Sequence, residues 1–394
     1  MLRIITAHTS EVDDPEEAVA EILTQIEAEQ GLLKNSVGLL ACCTDFIYSG
    51  SMKMLCARLP FDVIGISTLA SATGASGDIL LLTLCVLTSD ELEFSPVLTE
   101  PLTEQPEKSI REAYALASGK RAEKPSFLLV YAPINNMGGG ESLIRMIDAA
   151  TGKALLFGSL ACDHNFDSHE ACVLYQGKAY RDRLILLPVY GRLETEFFFV
   201  SIPEANIQKQ LAIITGSEGN VLKKVNDVNF LEYLYQLKLI QKENAGTPYT
   251  QDALNSIQGI PLLVDYHDGR PPAARTVYSV TPEGYAFCGG DMPVGATFAL
   301  GSMDYDDILN STRQALAQIL DSKKRNGLLI SSNRIRSFSL GPDPLAEIKT
   351  VKEELGQNIP FHLCYSGGVL CPVRTADGNT LNAFHNFTFA ACLF

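Results

Sequence analysis

Apolar runs of strand length recur along the whole chain, and the longest, ILLLTLCVL from Ile79 to Leu87, has nine residues. VGLLACC, DVIGIST, SFLLVYA, ALLFGSLA and NGLLISS are further runs of this kind. Without an apolar–polar alternation they predict strands buried on both faces, which requires helices or a second sheet over each face. Helical stretches do lie between them. DDPEEAVAEILTQIEAEQ starts with Asp14 as N-cap, Pro15 at the first helical position and acidic residues in the first turn. GESLIRMIDAAT puts Leu143, Ile144 and Ile147 on one face, and DYDDILNSTRQALAQILDSKKR is a long amphipathic helix. DPLAEIKTVKEELG predicts a helix with Asp343 as cap and Pro344 first. Two hairpins are expected, turning at Gln176-Gly177 and at Gly219-Asn220. The result is a mixed α/β (α+β) fold with several sheets of largely buried strands, and no repeat of solenoid period is seen.

A chain of 394 residues is too long for one ordinary core, so two sheet-and-helix halves are expected, residues 1–190 and 191–394. The polar, Gly- and Pro-punctuated stretch Leu239–Gly259 is the candidate mobile connection. A formal charge of -15 excludes a nucleic-acid binder and gives no attraction to an anionic membrane. The N-terminus turns acidic too soon for an export signal, and no apolar run approaches the roughly 20 residues of a membrane span. A cytoplasmic protein is expected, with its ten cysteines reduced and mostly buried.

Motifs for common chemistry are missing. NMGGGESL (Asn136–Leu143) lacks the lysine of a phosphate loop and reads as a flexible entry to a helix. In CDHNFDSH, Cys162, His164 and His169 supply at most three metal ligands, so no metal site and no cofactor are predicted. Cys364, Cys371 and His385 raise the alternative of a thiol-dependent hydrolase or acyltransferase, although cysteines in apolar strands are more often core. In NAFHNFTFAACLF, alternation would put His385, Phe387 and Phe389 on one face and Asn386 and Thr388 on the other. Asparagine is unfavourable inside a strand, so Asn386 should hydrogen-bond something specific, a neighbouring backbone or a ligand.

With these residues assembled, the chain resembles the FIST family of sensory domains (F-box and intracellular signal transduction proteins). The match rests on YSGGVLCPV (Tyr365–Val373) and FHNFT (Phe384–Thr388). It is extended by LLISSNRIRSFSLGPDPLAEI, with Arg336 and Glu347, and by VIGISTLASATGASGDILLL, LFGSLACDHNF with Asp163, and TGSEGNVLKKVNDVNFLEYL. Val369 stands where the family commonly has glutamate, Ala70 where it has glycine, and Asn333 near a usual cysteine. The resemblance implies a small-molecule sensor, with amino acids or related metabolites as ligands and a downstream signalling protein as partner. The expected ligand-binding residues are Asp163, Arg336, Glu347, Tyr365, Gly367, Gly368, His385, Asn386 and Thr388. Arg336 would fork onto a carboxylate, and Asp163 or Glu347 would meet an ammonium group. For Arg336 and Glu347, a structural ion pair and first-turn helix electrostatics are the competing readings. A scaffold that binds a partner without a metabolite is the remaining alternative.

Overall fold

The computed structural model describes residues 2–29, 31–119, 121, 123–133, 139–164, 169–240, 257–281, 283–356 and 358–394. The fold is mixed α+β, and the same β/α unit occurs three times in it. The first unit runs β1 (Leu2–Thr9), α1 (Pro15–Ala28), β2 (Asn35–Cys42), α2 (Asp45–Tyr48), α3 (Ser51–Arg58), β3 (Asp62–Ser67), a hairpin β4 (Ser71–Thr73) and β5 (Gly77–Asp78), then β6 (Leu82–Ser89). The second runs β7 (Glu93–Phe94), β8 (Val97–Leu98), α4 (Pro106–Ser118), β9 (Phe127–Ala132), α5 (Gly140–Thr151), β10 (Leu156–Leu160), the hairpin β11 (Val173–Tyr175) and β12 (Lys178–Tyr180), then β13 (Ile185–Tyr190). The third starts with β14 (Glu196–Val200) and is interrupted by an insertion. That insertion carries β15 (Ile207–Glu218), β16 (Val221–Val225), β17 (Val228–Asn229), α6 (Phe230–Gln236), β18 (Leu262–Asp265), β19 (Ala273–Arg275), β20 (Val277–Val280), β21 (Ala286–Cys288) and β22 (Thr297–Gly301). The unit resumes with α7 (Tyr305–Asp321), β23 (Leu328–Asn333), α8 (Arg334–Ser339), α9 (Ala346–Leu355), β24 (Phe361–Ser366), the hairpin β25 (Gly368–Arg374) and β26 (Thr380–His385), and β27 (Phe389–Leu393).

Each unit centres on one parallel pair, β2 with β3, β9 with β10, and β23 with β24, joined by a helical crossover. On one side of the pair the unit's own last strand adds antiparallel, β6 on β2, β13 on β9 and β27 on β23. On the other side the hairpin comes from a different unit. Unit two's β11 pairs with β3, unit three's β25 with β10, and unit one's β4 with β24. The exchange is cyclic, so no unit can complete its sheet alone. Where the inner strands end they bond to one another, Cys162 N to Ser67 O at 3.1 Å and Gly367 N to Leu160 O at 2.9 Å.

The three sheets turn one face to a common core. Val37, Leu39 and Ala41 of β2 meet Phe127 and Leu129 of β9 there, with Val369 and Cys371 of β25 and Ala390 and Cys392 of β27. The opposite faces carry the helices. Leu40 of β2 packs on Val19, Ile22 and Ile26 of α1, whose spacing forms one helical stripe. Both faces of each inner strand are therefore dry, which explains the unbroken apolar runs. The insertion has its own core around Phe230, Leu234 and Phe298.

Matched glycines mark two of the parallel pairs. A Cβ on Gly65 would lie 2.1 Å from the Leu40 carbonyl oxygen, and one on Gly158 would lie 2.0 Å from that of Val130. Backbone cannot swing aside as a side chain can, so Gly65→Ala and Gly158→Ala are each expected to cost about 1–3 kcal/mol by overpacking. Gly74→Ala, where only the Gly356 carbonyl oxygen comes near, at 3.9 Å, should stay within about 0.5 kcal/mol. Urea unfolding midpoints of the three variants check this.

Local signals hold well at several points. Asp14 caps α1, accepting from Glu16 N at 3.0 Å and Glu17 N at 3.2 Å, with Pro15 first in the helix. The hairpins turn where expected, between β11 and β12 and between β15 and β16. Two expectations fail. The helix read from Asp343 begins at Ala346, because Asp343 offers only its carbonyl to Ala346 N, at 3.1 Å, while its carboxylate pairs with Lys349. The terminal segment is not one strand either. Phe387 sits at φ 54°, its N–H held by Asn333 Oδ1 at 3.1 Å, and the chain there leaves β26 in one sheet for β27 in another. Most of the candidate connection, residues 241–256, and the loop residues 134–138 lie outside the described residues.

Candidate functional site

The parallel pairs put chemistry-bearing side chains at the C-terminal ends of their strands. β2 is followed by Cys43, Thr44 and Asp45, and β23 by Arg334 and Arg336. β10 leads into Cys162, Asp163 and His164, and β24 into Gly367. Ligands of parallel sheets gather at such ends because the loops there are free of the hydrogen-bond ladder.

Arg336 and Glu347 come together as expected, and both are fully buried. Arg336 Nε and Nη2 reach Glu347 Oε1 at 2.9 and 2.6 Å. Nη2 also donates to Ile308 O at 3.1 Å and to Thr312 Oγ1 at 2.9 Å. The carboxylate accepts further from the hydroxyls of Thr312 and Ser332, each at 2.6 Å. Tyr365 lies beside it, its phenol pushed up by burial and then by the Glu347 charge. This cluster ties α7, α8, α9 and β23 together through protein partners.

A second group forms where the insertion covers the strand ends. Asn386 Nδ2 donates to Tyr278 OH at 3.2 Å, and that hydroxyl donates to Gly367 O at 3.1 Å. Asn386 Oδ1 accepts from Thr276 N at 3.4 Å and is packed so closely that a Cβ on Gly289 would lie 2.1 Å from it. Thr388 Oγ1 donates to Asn386 O at 2.8 Å, which holds the turn. The insertion is anchored beside this group by Arg275, wholly buried, which pairs with Glu141 and donates to Tyr266 OH at 2.8 Å. Gly139 and Gly140 serve that docking, since Cβ atoms there would lie 1.9 Å from Asp291 Oδ1 and 2.1 Å from the Phe384 ring.

Arg334 differs from Arg275 and Arg336, the other buried cations among the described residues. It is 9% exposed, and its Nε and Nη1 have no hydrogen-bond acceptor among those residues. Its charge reaches both neighbouring clusters. Burial pushes the Cys162 thiol up to about 11 and raises the Tyr278 phenol, and the Arg334 guanidinium opposes both shifts. Cys162 in turn lies 3.2 Å from Tyr365 O. Arg334, Tyr278 and Thr276 are absent from the sequence-based set. Nothing in RIR distinguishes the cation with a partner from the one without.

The other expected residues fall elsewhere. Asp163 is fully buried, 2.8 Å from His164 Nδ1 and 3.3 Å from Thr44 Oγ1. Gly368 belongs to β25, where a Cβ would lie 2.4 Å from the Phe384 ring. His385 stacks on Phe199 at 5.4 Å and its Nε2 lies 3.0 Å from Cys371 O, so that nitrogen carries the proton. It meets the carbonyl of Cys371, not the thiol. Burial raises the Cys371 thiol and pushes that of Cys364 up to about 12, which disfavours the thiolate at both. Of two clefts of similar size, one of about 610 Å³ is lined by Phe199, on which His385 stacks, and by Pro372, but not by Arg334, Cys162 or Tyr278. The other, of about 620 Å³, lies between residues 32–36 and 93–95, where Arg121 is already paired with Glu93. None of the residues that line it is buried.

Two family models match the chain, the FIST N domain over residues 36–228 and the FIST C domain over residues 232–372. No curated protein matches it. Among solved structures, the crystal structure of a cyanuric acid hydrolase from A. caulinodans aligns with 100% of this chain and 98% of its own at 11% identity and a TM-score of 0.36. At that TM-score the likeness adds nothing to the reading of the site. No helix among the described residues is long and apolar enough to cross a membrane.

Proposed function

The chain belongs to the FIST family, and we propose that it is a small-molecule-binding sensory protein whose ligand carries a carboxylate, an amino acid or organic acid. The observation that carries this reading is Arg334. A buried guanidinium with unspent donors costs several kcal/mol, and the protein gains nothing from it in the ligand-free state. An acceptor oxygen at Nε and Nη1 reverses the sign of that cost. Asn386 and Tyr278 supply neutral donors and acceptors beside it, with the Tyr278 hydroxyl held on the Gly367 carbonyl. For an amino acid, Asp163, next to Cys162 in the chain, is the candidate partner of the ammonium group. Glu347 is committed to Arg336, so in this reading the pair holds α8 in place and Arg334 at its first turn meets the ligand. A ligand on Arg334 adds to the contacts between the insertion and the strand ends, and a downstream protein would distinguish the tighter state from the looser one.

The test is a thermal-shift screen of amino and organic acids against the full chain and against Arg334→Met. At about 100 times its dissociation constant, a ligand adds roughly 2.7 kcal/mol to stability. A carboxylate should raise the melting point of the wild-type protein and leave that of Arg334→Met unmoved. Arg334→Met without ligand should be at least as stable as wild type, since it removes an uncompensated buried charge. The proposal is overturned if no carboxylate shifts the wild-type protein, or if one shifts both proteins equally.

A further inference from the structure

Against the expectation of no metal, a second constellation lies at the same end of the strands. We propose that Cys43, Asp45 and His164 form a site for a divalent transition ion of the zinc class, with one coordination position left open. A ligand atom from each of the three residues lies within 4.8 Å of those of the other two. Cys43 and Asp45 come from the turn after β2, and His164 from the loop after β10. The cyclic arrangement of the sheets makes these turns neighbours.

The contacts have the character of a coordination sphere short of its centre. His164 Nε2 lies 3.2 Å from Asp45 Oδ2, and Nδ1 lies 2.8 Å from Asp163 Oδ1. Neither contact is aligned as a hydrogen bond, since Asp45 Oδ2 and His164 Nδ1 are buried atoms without a hydrogen-bond partner among the described residues. A tetrahedral zinc ion takes thiolate sulfur at about 2.3 Å and imidazole nitrogen or carboxylate oxygen at about 2.0–2.2 Å, which separates its ligand atoms by roughly 3.5 Å. Asp45 Oδ2 and His164 Nε2, 3.2 Å apart, are already near that separation, and Asp45, whose side chain is 42% exposed, has room to adjust.

The donor set selects the ion. One sulfur, one nitrogen and one oxygen suit zinc or cobalt better than magnesium or calcium, which want oxygen throughout. Asp163, fully buried, lies 2.8 Å from Nδ1, and a turn of the ring on metal binding would bring the Nδ1 proton onto this carboxylate, which then orients the ring. The metal-free Cys43 is a thiol, pushed up to about 12 by burial and then by Asp45. On binding, the sulfur–metal bond replaces the S–H bond and the proton leaves to solvent. Three protein ligands leave the fourth position to water or to a substrate-like group, as in open rather than structural sites.

Co²⁺ is the probe, because a cobalt–thiolate bond gives a charge-transfer band in the near ultraviolet. The full chain, stripped with chelator, is titrated with Co²⁺ and then with Zn²⁺ in competition. One equivalent should produce the band, and zinc should abolish it. Cys43→Ser should lose the band and bind cobalt at least 100-fold more weakly, while Cys56→Ser keeps both. Asp163→Asn should weaken binding by about 10–100-fold with the band retained. His164→Gln and Asp45→Asn, at partly exposed positions, should also weaken binding, and they test the site if the buried cysteine variant fails to fold. Binding without a band, or a band that survives in Cys43→Ser, or no binding at one equivalent, overturns the site.

Discussion

Acidification from pH 6.5 towards 4 is expected to cost this protein about 2.7 kcal/mol of stability per pH unit, through two buried histidines. His362 sits in the core with its Nε2 2.8 Å from Thr83 Oγ1, and burial lowers it from 6.5 to about 4. His385 is lowered to about 4 as well, by burial first, with Arg275 and Arg270 adding repulsion and the Cys371 carbonyl opposing them. Both rings stay neutral in the folded protein while the unfolded chain takes up a proton on each near pH 6.5. Their stabilisation is therefore complete above that value and is lost as the pH falls towards about 4. Each contributes about 1.4 kcal/mol per unit in that window. His8, half-buried and lowered by burial, adds a smaller effect of the same sign. Urea unfolding at pH 7, 6 and 5 measures the slope, and His362→Gln should reduce it by half. Stability that is level between pH 7 and 5 would contradict this expectation.

Glu347→Ala is expected to destabilise the protein by about 3–5 kcal/mol, the cost of stranding a buried cation. The substitution leaves Arg336 with no counter-charge and takes an acceptor from Thr312 and from Ser332. The pair itself need not be net stabilising, because desolvating both charges offsets most of their attraction. A double variant, Arg336→Met with Glu347→Leu, should therefore recover most of the loss. Chemical denaturation of the two single variants and the double closes the cycle. A cost below about 1 kcal/mol for Glu347→Ala would mean that the cluster is not the strut joining α7, α8 and α9. The same measurement bears on the ligand proposal, since a collapsed α8 would also displace Arg334, whereas Arg334→Met would not disturb Arg336.

These clusters mark the reach of local sequence signals. Arg336 and Glu347 stand out in the sequence and do meet in the fold, yet the pair is held by Thr312 and Ser332, which arrive from α7 and β23 and carry no local mark of that role. Arg334 and Arg336 stand two residues apart in the same short helix. Arg336 meets a carboxylate and hydroxyls, whereas Nε and Nη1 of Arg334 have no acceptor among the described residues, and the packing of α7 and α9 around Arg336 makes the difference. His164 is visible in CDHNFDSH, and Asp163 stays beside it, but the other ligands proposed with it are not its sequence neighbours. Cys162 turns to the Tyr365 carbonyl, while Cys43 and Asp45 come from a turn far back in the chain.

Local features are written in the chain directly: where strands and helices form, which hairpins turn at Gln176-Gly177 and Gly219-Asn220, and that most strands are dry on both faces. These follow from side-chain polarity and turn chemistry within a few residues. Which strands pair across the molecule depends instead on how the whole chain packs. A backbone ladder is the same for every sequence, so nothing in VLYQGKAY or GGVLCPVR states that each hairpin joins a different unit's sheet. That exchange brings the turns after β2, β10 and β23 to one end, and with them the groups proposed to bind a carboxylate and a metal ion.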